Sequence, residues 1–528
     1  MHGLMMDQPL LISDLIRHAE RHHGATEIVS KSVDGSVHRY TYAGAARRAR
    51  RLANALARLG VRMHDRVATL AWNGFRHYEI YYAVAGSGAV IHTINPRLFP
   101  DQIAYIANHA EDKVVFYDTT FAALIENLRP RLKGVKAFIP LSDEYEALLE
   151  KETDQFEWPA FDERTAACLC YTSGTTGNPK GALYSHRSTM IHAYAAALPD
   201  TLNLSAREVV LPVVPMFHVN AWSLPYSCTM TGAKMVFPGP HLDGKSLHEL
   251  FEAEGVTMSA GVPTVWLGLL NYLKEKKLRF STLKNVVIGG SACPPAMIRT
   301  FQDDYGVQVL HAWGMTEMSP LGTAGTLKAQ QLKLGKEERY QLQNKQGRAI
   351  FGVDYRIVDE NGNELPWDGK AFGDLQVRGP WVIKSYFKGE GGNPLKDGWF
   401  PTGDVCTIDA EGYIQITDRS KDVIKSGGEW ISSIDLENIA IAHPAIVEAA
   451  VIGIPHPKWD ERPIVVAVKK AGQEVSKEEL LRFYEGKIAK WWMPDDVVFV
   501  AELPHTATGK LSKLTLRQQF KDYRLDQK

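Results

Sequence analysis

The most informative stretch of the chain is Tyr171-Thr172-Ser173-Gly174-Thr175-Thr176-Gly177-Asn178-Pro179-Lys180-Gly181, which follows a short apolar run at residues 168–172. Its glycines allow backbone N–H groups to turn inward around an anion, its hydroxyls add donors, and Lys180 adds positive charge. The order predicts a phosphate-binding loop after a buried strand. It is not a Walker A loop, because Asn178-Pro179 precedes Lys180 and Gly181 follows it.

Strand-like and helix-like segments alternate on both sides of this loop. Residues 209–215 and 285–288 are apolar runs followed by turn residues, and residues 244–254 and 295–305 have helical spacing. Alternating strands and helices are typical of layered α/β structures. The sequence therefore predicts an α/β fold with a large N-terminal domain of several subdomains.

An amphipathic helix is predicted at residues 41–59. Thr41 can cap its start, Leu52 and Leu56 share one face, and Gly60 follows its end. The simplest interpretation of its basic side chains is a solvated face, made by Arg47, Arg48, Arg50 and Arg51.

The last hundred or so residues have the pattern of a separate small unit. It is preceded by the charged stretch Asp418-Arg419-Ser420-Lys421-Asp422 and contains a helix at 434–443 and strands at 448–454 and 464–469. These patterns predict an N-terminal domain at residues 1–418 and a small α+β C-terminal domain at 419–528.

Composition limits the classes of function. The chain has 528 residues, 45% hydrophobic and 23% charged, which suggests a globular protein of two to four structural units. Its 60 basic and 61 acidic side chains nearly cancel, which argues against a nucleic-acid partner. Five scattered cysteines, no basic leader and no apolar run of bilayer length favour a cytoplasmic protein without integral membrane association.

Further motifs follow the phosphate loop in a fixed order. They are Pro215-Met216-Phe217-His218-Val219-Asn220-Ala221-Trp222, Gly289-Gly290-Ser291-Ala292, Trp313-Gly314-Met315-Thr316-Glu317, Thr402-Gly403-Asp404, Asp418-Arg419, Lys425-Ser426-Gly427-Gly428-Glu429 and Thr508-Gly509-Lys510. Together with the loop, this series resembles the adenylate-forming superfamily of acyl-CoA synthetases, firefly-type luciferases and peptide-synthetase adenylation domains. The resemblance covers nearly the whole chain.

The resemblance implies an ATP-dependent enzyme that uses Mg²⁺ and coenzyme A to convert a carboxylic acid first to an acyl-adenylate and then to a thioester. Dense phosphate charge requires cations and N–H donors. The residues that the resemblance assigns to the nucleotide phosphates are Thr172, Ser173, Gly174, Thr175, Thr176, Gly177 and Lys180. It places Trp313 and Gly314 at the nucleotide, Thr316 at the α-phosphate and Glu317 at Mg²⁺. It also places Asp404 at both ribose hydroxyls and Arg419 near ribose and phosphate.

The two half-reactions have different requirements at the same carbonyl carbon. By resemblance, Lys510 contacts the carboxylate and α-phosphate during adenylation, and the C-terminal domain then rotates about a hinge at Lys421, within residues 419–423. After rotation, Gly427 and Gly428 line a passage for the pantetheine arm of coenzyme A.

The acid is predicted to be aliphatic. His218, placed by resemblance among the catalytic residues, stands where amino-acid-activating relatives have an aspartate that pairs the substrate ammonium. An unpaired ammonium in an apolar pocket is costly, so amino acids are disfavoured. The candidate pocket comprises Val219, Trp222, Gly289, Gly290, Ser291 and Pro320, whereas Trp266 is expected to belong to the core.

The motif wording resembles bacterial medium- and long-chain fatty acyl-CoA ligases and also methylmercaptopropionate-CoA ligases. Medium- or long-chain fatty acids are the first expectation. The alternatives are 3-methylmercaptopropionate or another short acid, and acyl transfer to a carrier protein. A non-catalytic sensor would not need Glu317, Asp404 and Lys510 together. The same resemblance implies a homodimer.

Overall fold

The structure is a computed structural model that describes residues 1–172, 178–420, 422–426, 429–505 and 511–525. Several residues with predicted roles lie outside these ranges, namely Ser173, Gly174, Thr175, Thr176, Gly177, Lys421, Gly427, Gly428 and Lys510. Their roles stay predictions.

The strands within the described residues are numbered β1 to β24 in chain order. They are Glu27–Lys31, Val37–Thr41, Arg66–Leu70, Val90–Thr93, Asp112–Tyr117, Ala137–Pro140, Ala166–Tyr171, Gly181–Ser185, Val209–Pro212, Lys234–Phe237, Met258–Gly261, Asn285–Ile288, Gln308–Gly314, Leu321–Ala324, Arg348–Ala349, Asp354–Val358, Phe372–Arg378, Phe400–Ile408, Ile414–Arg419, Ile424–Ser426, Glu429–Ile431, Ile446–His456, Asp460–Lys469 and Asp496–Phe499.

The α-helices of the described residues are numbered α1 to α15 in the same way. They are Ile12–His22, Tyr42–Arg58, Phe75–Gly86, Pro100–Ala110, Ala122–Leu128, Asp143–Glu150, His186–Ala197, Leu224–Thr231, Gly244–Glu254, Pro263–Lys276, Pro295–Arg299, Lys336–Gln343, Ser433–Ile441, Lys477–Tyr484 and Lys513–Gln519.

Within the first 350 residues, strands β1 to β15 form two mixed sheets, each with parallel strands at its centre. The nine-stranded sheet has the order β15-β14-β13-β12-β11-β9-β10-β1-β2, in which the strands from β13 to β1 are parallel. The six-stranded sheet has the order β6-β5-β3-β4-β7-β8, and β8 is antiparallel to β7. In such sheets ligands bind beyond the carboxyl ends of the strands, where β7, β12 and β13 carry the predicted motifs.

Two smaller sheets follow. An antiparallel sheet has the order β16-β17-β18-β19, and a five-stranded sheet is built from β20 to β24. Strand β19 ends at Arg419 and β20 begins at Ile424, each in a different sheet. The domain boundary near residue 419 stays a prediction.

Helix α3 lies between the two large sheets and contacts β1 on one side and β4 and β7 on the other. Its side chains are almost all buried, including Tyr78, Tyr81 and Tyr82. A helix that is buried on all sides is suited to such a position because every face contacts another element. The helix thereby joins the sheet that carries the phosphate loop to the sheet that carries the acid-pocket motifs.

Several predicted elements are confirmed with close boundaries. Helix α9 and strand β12 have the predicted limits. Helix α2 starts after Thr41, whose side chain accepts a hydrogen bond from the Gly44 N–H at 3.3 Å. Gly60 takes a positive φ of 79° after the helix, as a stop residue does.

Strands β22 and β23 are longer than predicted, whereas β9 and the helix predicted at 295–305 end before their predicted limits. Strand β9 stops at Pro212, because the N–H groups of Val213 and Val214 both donate to the Ala260 carbonyl and the chain turns away. The predicted helix at 295–305 is α-helical only to Arg299 and continues as a π-helical turn, Thr300–Asp304.

The interpretation of the α2 arginines as a solvated face is wrong for Arg48 and Arg50. Arg48 Nε lies 2.7 Å from the carboxylate of Glu79, which is fully buried on α3, and Arg50 lies 2.7 Å from Glu20. Helix α2 packs between α3 and α6, so this part of its surface faces protein. Arg47 is exposed on the same helix.

We expect Arg48→Met to destabilise the fold by about 3–5 kcal/mol, because it leaves the buried Glu79 carboxylate without its cation. Arg47→Met is the matched control and should change stability by no more than about 0.5 kcal/mol. Urea midpoints compared at equal slope measure both effects. Equal midpoints for the two variants would show that the Glu79–Arg48 pair does not stabilise the fold.

Candidate active site

The phosphate loop is pinned at both of its ends. The Thr172 N–H donates to the Lys180 carbonyl at 2.9 Å, and the Lys180 N–H donates to Thr172 Oγ1 at 3.1 Å. These bonds hold residue 172, at the end of β7, against residue 180, which precedes β8. The two ends of the phosphate-loop motif are therefore held together beside the carboxyl end of β7.

The Trp313-to-Glu317 segment folds back on itself after β13. The Met315 N–H donates to the Pro320 carbonyl at 3.0 Å. A Cβ atom on Gly314 would lie 2.1 Å from the same carbonyl oxygen, so glycine is required there. The Tyr184 hydroxyl donates to the Thr316 carbonyl from β8. The turn Thr316–Met318 is thus fixed by both large sheets.

Glu317 is a buried carboxylate, 8% exposed. The Tyr386 hydroxyl donates to its Oε1 at 2.8 Å, and its backbone carbonyl accepts from the Ile383 N–H at 2.9 Å. Burial raises the pKa of the Glu317 carboxyl, although the Tyr386 bond and the charge of Arg419 oppose this. A cation that arrives with a bound ligand stabilises the charged form of such a buried carboxylate.

The donor set fits Mg²⁺ delivered with a nucleotide. Hard oxygen ligands suit this ion, and Mg²⁺ in nucleotide sites is held by one or two carboxylates together with phosphate oxygens. The described residues contain no group of three or more His, Cys, Asp or Glu able to hold a metal. Glu317 is therefore suited to add one protein ligand to an ion that phosphates and water also coordinate.

Asp404 lies at the join of β13 with the antiparallel sheet. Its Oδ2 accepts from the Trp313 indole N–H at 2.9 Å, and its Oδ1 lies 2.9 Å from Arg419 Nε. Asp404 and Arg419 are directly opposite each other on β18 and β19, so the ladder itself aligns the ion pair. A carboxylate can accept several hydrogen bonds on its two oxygens, as the predicted contact with both ribose hydroxyls requires.

The acid-pocket motif contains an unusual backbone segment. Val219–Ser223 forms a turn of five residues that all have positive φ, between 48° and 68°, and none of them is glycine. The left-handed region costs roughly 1–2 kcal/mol for each such residue. Strain of this kind persists only where the surrounding structure over-determines it, and it is concentrated at functional sites. We call Val219–Ser223 the left-handed turn.

The left-handed turn places Trp222 against the glycine pair after β12. The Trp222 ring is 3.2 Å from the position a Cβ would take on Gly289 and 3.9 Å from that on Gly290. A Gly289 Cβ would also lie 2.8 Å from the Ala312 carbonyl, next to Trp313. The indole therefore covers the glycines beside the nucleotide segment.

The remaining predicted pocket residues occupy different positions. Val219 and Pro320 are buried, whereas Ser291 is exposed at the end of the glycine segment. His218 borders a small cavity of about 10 Å³ together with Thr172 and Val219, so the acid motif and the phosphate loop are close neighbours. Trp266 is fully buried in the core beside Phe301, as expected.

Tyr386 was not identified from the sequence. The Lys180 ammonium lies 5.0 Å from the centroid of the Tyr386 ring, and the Tyr386 hydroxyl donates a hydrogen bond to Glu317. Burial raises the pKa of the Tyr386 hydroxyl, so the group remains a donor. It stands in an irregular loop with no periodicity or motif spacing, and a single sequence carries no signal that would single it out.

These contacts form one continuous chain. The Lys180 ammonium lies against the Tyr386 ring, and the Tyr386 hydroxyl donates a hydrogen bond to Glu317. The Glu317 carboxylate in turn interacts electrostatically with Arg419 and Asp404. Asp404 binds Trp313, whose neighbour Ala312 adjoins the Gly289–Trp222 contact. The residues predicted to bind phosphate, metal, ribose and acid are thus adjacent, which suits a ligase that activates a carboxylate through a nucleotide.

The chain belongs to the family of AMP-binding enzymes. The model of the AMP-binding enzyme matches residues 15–387, and that of the AMP-binding enzyme C-terminal domain matches residues 435–510. The α/β fold class, with a large N-terminal and a small C-terminal domain, is confirmed.

Curated relatives extend over the whole chain. A 3-methylmercaptopropionyl-CoA ligase of Ruegeria lacuscaerulensis is 56% identical, with 99% of each chain covered. A medium-chain fatty acid–CoA ligase of Ectopseudomonas oleovorans is 52% identical over 99% of this chain and 98% of the relative. A long-chain fatty acid–CoA ligase of Thermus thermophilus is 49% identical over 98% and 97%.

Solved structures agree. ATP-bound MatB from Rhodopseudomonas palustris has a TM-score of 0.83 at 26% identity and covers 97% of this chain and 99% of its own. The protein is accordingly an AMP-forming, ATP-dependent acid–CoA ligase that uses ATP, Mg²⁺ and coenzyme A, as predicted. None of its described helices has the length and apolar character needed to cross a membrane.

We expect Tyr386→Phe to weaken the response to Mg²⁺ and ATP, because Glu317 loses the hydrogen bond that orients it. A hydrogen bond to a charged group stabilises by about 1.5–3 kcal/mol, so half-saturation should rise by about ten- to a hundredfold. Pyrophosphate release measured against Mg²⁺ concentration checks this. Tyr194→Phe, at a residue 52% exposed, is the control. Superimposable Mg²⁺ curves for the two variants would contradict the role of Tyr386.

Proposed function

We propose that the acid is a short to medium aliphatic or thioether acid, with 3-methylmercaptopropionate as the leading candidate. The observation that carries this proposal is the contact of the Trp222 ring with the Gly289–Gly290 segment, which limits the depth of the pocket. The fatty acids placed first from the sequence remain the second candidate, since a movement of Trp222 would lengthen the same pocket.

The reaction needs two displacements. In the first, a carboxylate oxygen attacks the α-phosphorus of ATP and the bond to pyrophosphate breaks. In the second, the thiol sulfur of coenzyme A attacks the acyl carbon, the bond to AMP breaks, and the thiol proton is lost. Both steps move negative charge onto phosphate oxygens, so positioned cations and N–H donors accelerate them.

The proposed roles are those that the family resemblance implies, and the placement of the described residues supports them. Thr172 and Lys180, with the loop between them, hold the β- and γ-phosphates. Thr316 contacts the α-phosphate, and Glu317 binds Mg²⁺, which neutralises phosphate charge. The Trp313–Gly314 segment borders the nucleoside. Asp404, which Trp313 and Arg419 orient, accepts hydrogen bonds from the ribose hydroxyls. His218 lines one small cavity with Thr172 and Val219, which supports its proposed place among the catalytic residues.

Support for the choice of acid comes from two independent sources. The pocket motif has His218 and Val219, which offer no carboxylate to an ammonium group. Two relatives, 56% and 55% identical to this chain, are named 3-methylmercaptopropionyl-CoA ligases. A thioether acid is uncharged beyond its carboxylate and suits an apolar wall made by an indole.

The second half-reaction is proposed to use a rotated C-terminal domain. In this account Lys510 serves adenylation, Lys421 is the hinge, and Gly427 and Gly428 admit the pantetheine arm. We further propose that the enzyme acts as a homodimer in the cytoplasm, without a nucleic-acid partner.

Trp222→Ala should shift substrate preference toward longer acids, because it removes the ring that covers Gly289. We expect the ratio of kcat/KM for a ten-carbon acid to that for 3-methylmercaptopropionate to rise by about tenfold or more, as expected for a buried apolar contact of 1–3 kcal/mol. A panel of acids from three to sixteen carbons measures it. The control is Trp367→Ala, whose side chain packs on Tyr355 in the antiparallel sheet. An unchanged ranking of acids would remove Trp222 from the pocket.

The two half-reactions can be separated by mutation. Lys510→Ala should slow adenylation by about 10²–10³, as the loss of one positioned donor does, yet leave the conversion of supplied acyl-AMP and coenzyme A nearly intact. Gly428→Leu should do the reverse, because a side chain blocks the passage. Each half is assayed separately, with circular dichroism to confirm folding. Equal slowing of both halves by each variant would contradict a rotating domain.

A further inference from the structure

Two cysteines on the strand that leads into the phosphate loop point toward one buried asparagine. Cys168 Sγ lies 3.1 Å and Cys170 Sγ 3.4 Å from Asn220 Oδ1. The three residues are at most 2% exposed. Cys168 and Cys170 are two positions apart on β7 and therefore share one face of the strand.

Asn220 is the second residue of the left-handed turn. Besides the two thiols, the Tyr81 hydroxyl on α3 lies 3.4 Å from Asn220 Oδ1. The Ala221 N–H donates to the Pro215 carbonyl at 3.2 Å. Asparagine tolerates the left-handed backbone conformation better than most other residues with a Cβ. These hydrogen bonds further stabilise the turn in that conformation.

The Cys168 thiol is suited to donate to the amide oxygen, and the Cys170 thiol, which also lies 3.7 Å from Cys168 Sγ and 3.5 Å from Thr93 Oγ1, is a second donor within reach of it. Burial raises the pKa of the Cys168 thiol, so it keeps its proton. A carbonyl oxygen has two lone pairs and can accept from more than one donor. The bonds join the left-handed turn to β7, whose next residue is Thr172 of the phosphate loop.

We propose that Asn220, held by the Cys168 and Cys170 thiols, is a specificity-determining positioning residue that keeps the left-handed turn in place and thereby holds Trp222 over Gly289. The inference rests on the proposed function in one respect, that Trp222 limits the acid pocket. Asn220 acts through Trp222 and does not touch the acid. Loss of the thiol bonds frees the turn, and longer acids gain relative to short ones.

The test compares three variants by the ratio of kcat/KM for a ten-carbon acid to that for 3-methylmercaptopropionate. Replacing both cysteines, Cys168→Ala with Cys170→Ala, should raise this ratio by about three- to tenfold, since two buried hydrogen bonds are lost. Cys168→Ser with Cys170→Ser keeps two hydroxyl donors and should restore most of the original ratio. Cys228→Ala removes a buried thiol from α8 and should leave the ratio unchanged.

A cycle with Trp222→Ala separates positioning from general loosening. If the thiols act through Trp222, their removal from the Trp222→Ala variant leaves the kcat/KM ratio of that variant unchanged. The KM for ATP is expected to stay the same in all of these variants. An equal change in both backgrounds, or an alanine pair that behaves like wild type, overturns the proposal. Asn220→Ala is a second variant with the same expected direction, so a poorly folding cysteine pair does not end the test.

Failure of this proposal differs visibly from failure of the proposed function. If no acid in the panel supports pyrophosphate release by the wild-type enzyme, the proposed choice of acids is wrong. If the wild type is active and Trp222→Ala shifts its ranking while the cysteine variants do not, only the role of Asn220 is wrong.

Discussion

The constraint on which the site depends is the burial of the Glu317 carboxylate. A carboxylate removed from water is costly unless it is paired or hydrogen-bonded, and within this site it has the Tyr386 hydroxyl and the more distant charge of Arg419. The residual cost favours a cation arriving with ATP. The Tyr386 ring also lies against the Lys180 ammonium, so one side chain contacts both Lys180 and Glu317, the proposed Mg²⁺ ligand.

The second constraint is conformational. The left-handed turn is disfavoured at each of its residues, yet it persists beside the residues proposed to bind the acid and the nucleotide. Its contacts reach β7, α3 and the glycines after β12, which belong to both large sheets and the helix between them. The turn that carries Trp222 is therefore held by the same framework from which the phosphate-loop motif extends.

Local elements were predictable where a single cause dominated. Thr41 caps α2 because a side-chain oxygen at that position meets a free N–H, and β12 is a short apolar run with clear ends. Arg48 was misjudged because charge on a helix usually faces water, and the buried Glu79 that attracts it lies on another helix. The sequence around Arg48 contains no local pattern that predicts a partner on another helix.

The site was predictable as a set of motifs but not as a set of contacts. The motifs that contain Trp313, Glu317 and Asp404 suggested their proposed roles through the family resemblance, whereas the hydrogen bond from Trp313 to Asp404 joins residues 91 positions apart. The left-handed turn was not predictable, since none of its residues is glycine. Tyr386 and Asn220 show the same limit, because each matters through partners that only the fold brings together.

The most direct test of the account follows the carboxylate oxygen. The acid is prepared with ¹⁸O in its carboxylate and converted with unlabelled ATP, Mg²⁺ and coenzyme A, and the products are analysed by mass spectrometry. Attack of the carboxylate on the α-phosphorus transfers one ¹⁸O atom to AMP and none to pyrophosphate. Label in orthophosphate together with ADP would show an acyl-phosphate route and contradict the account.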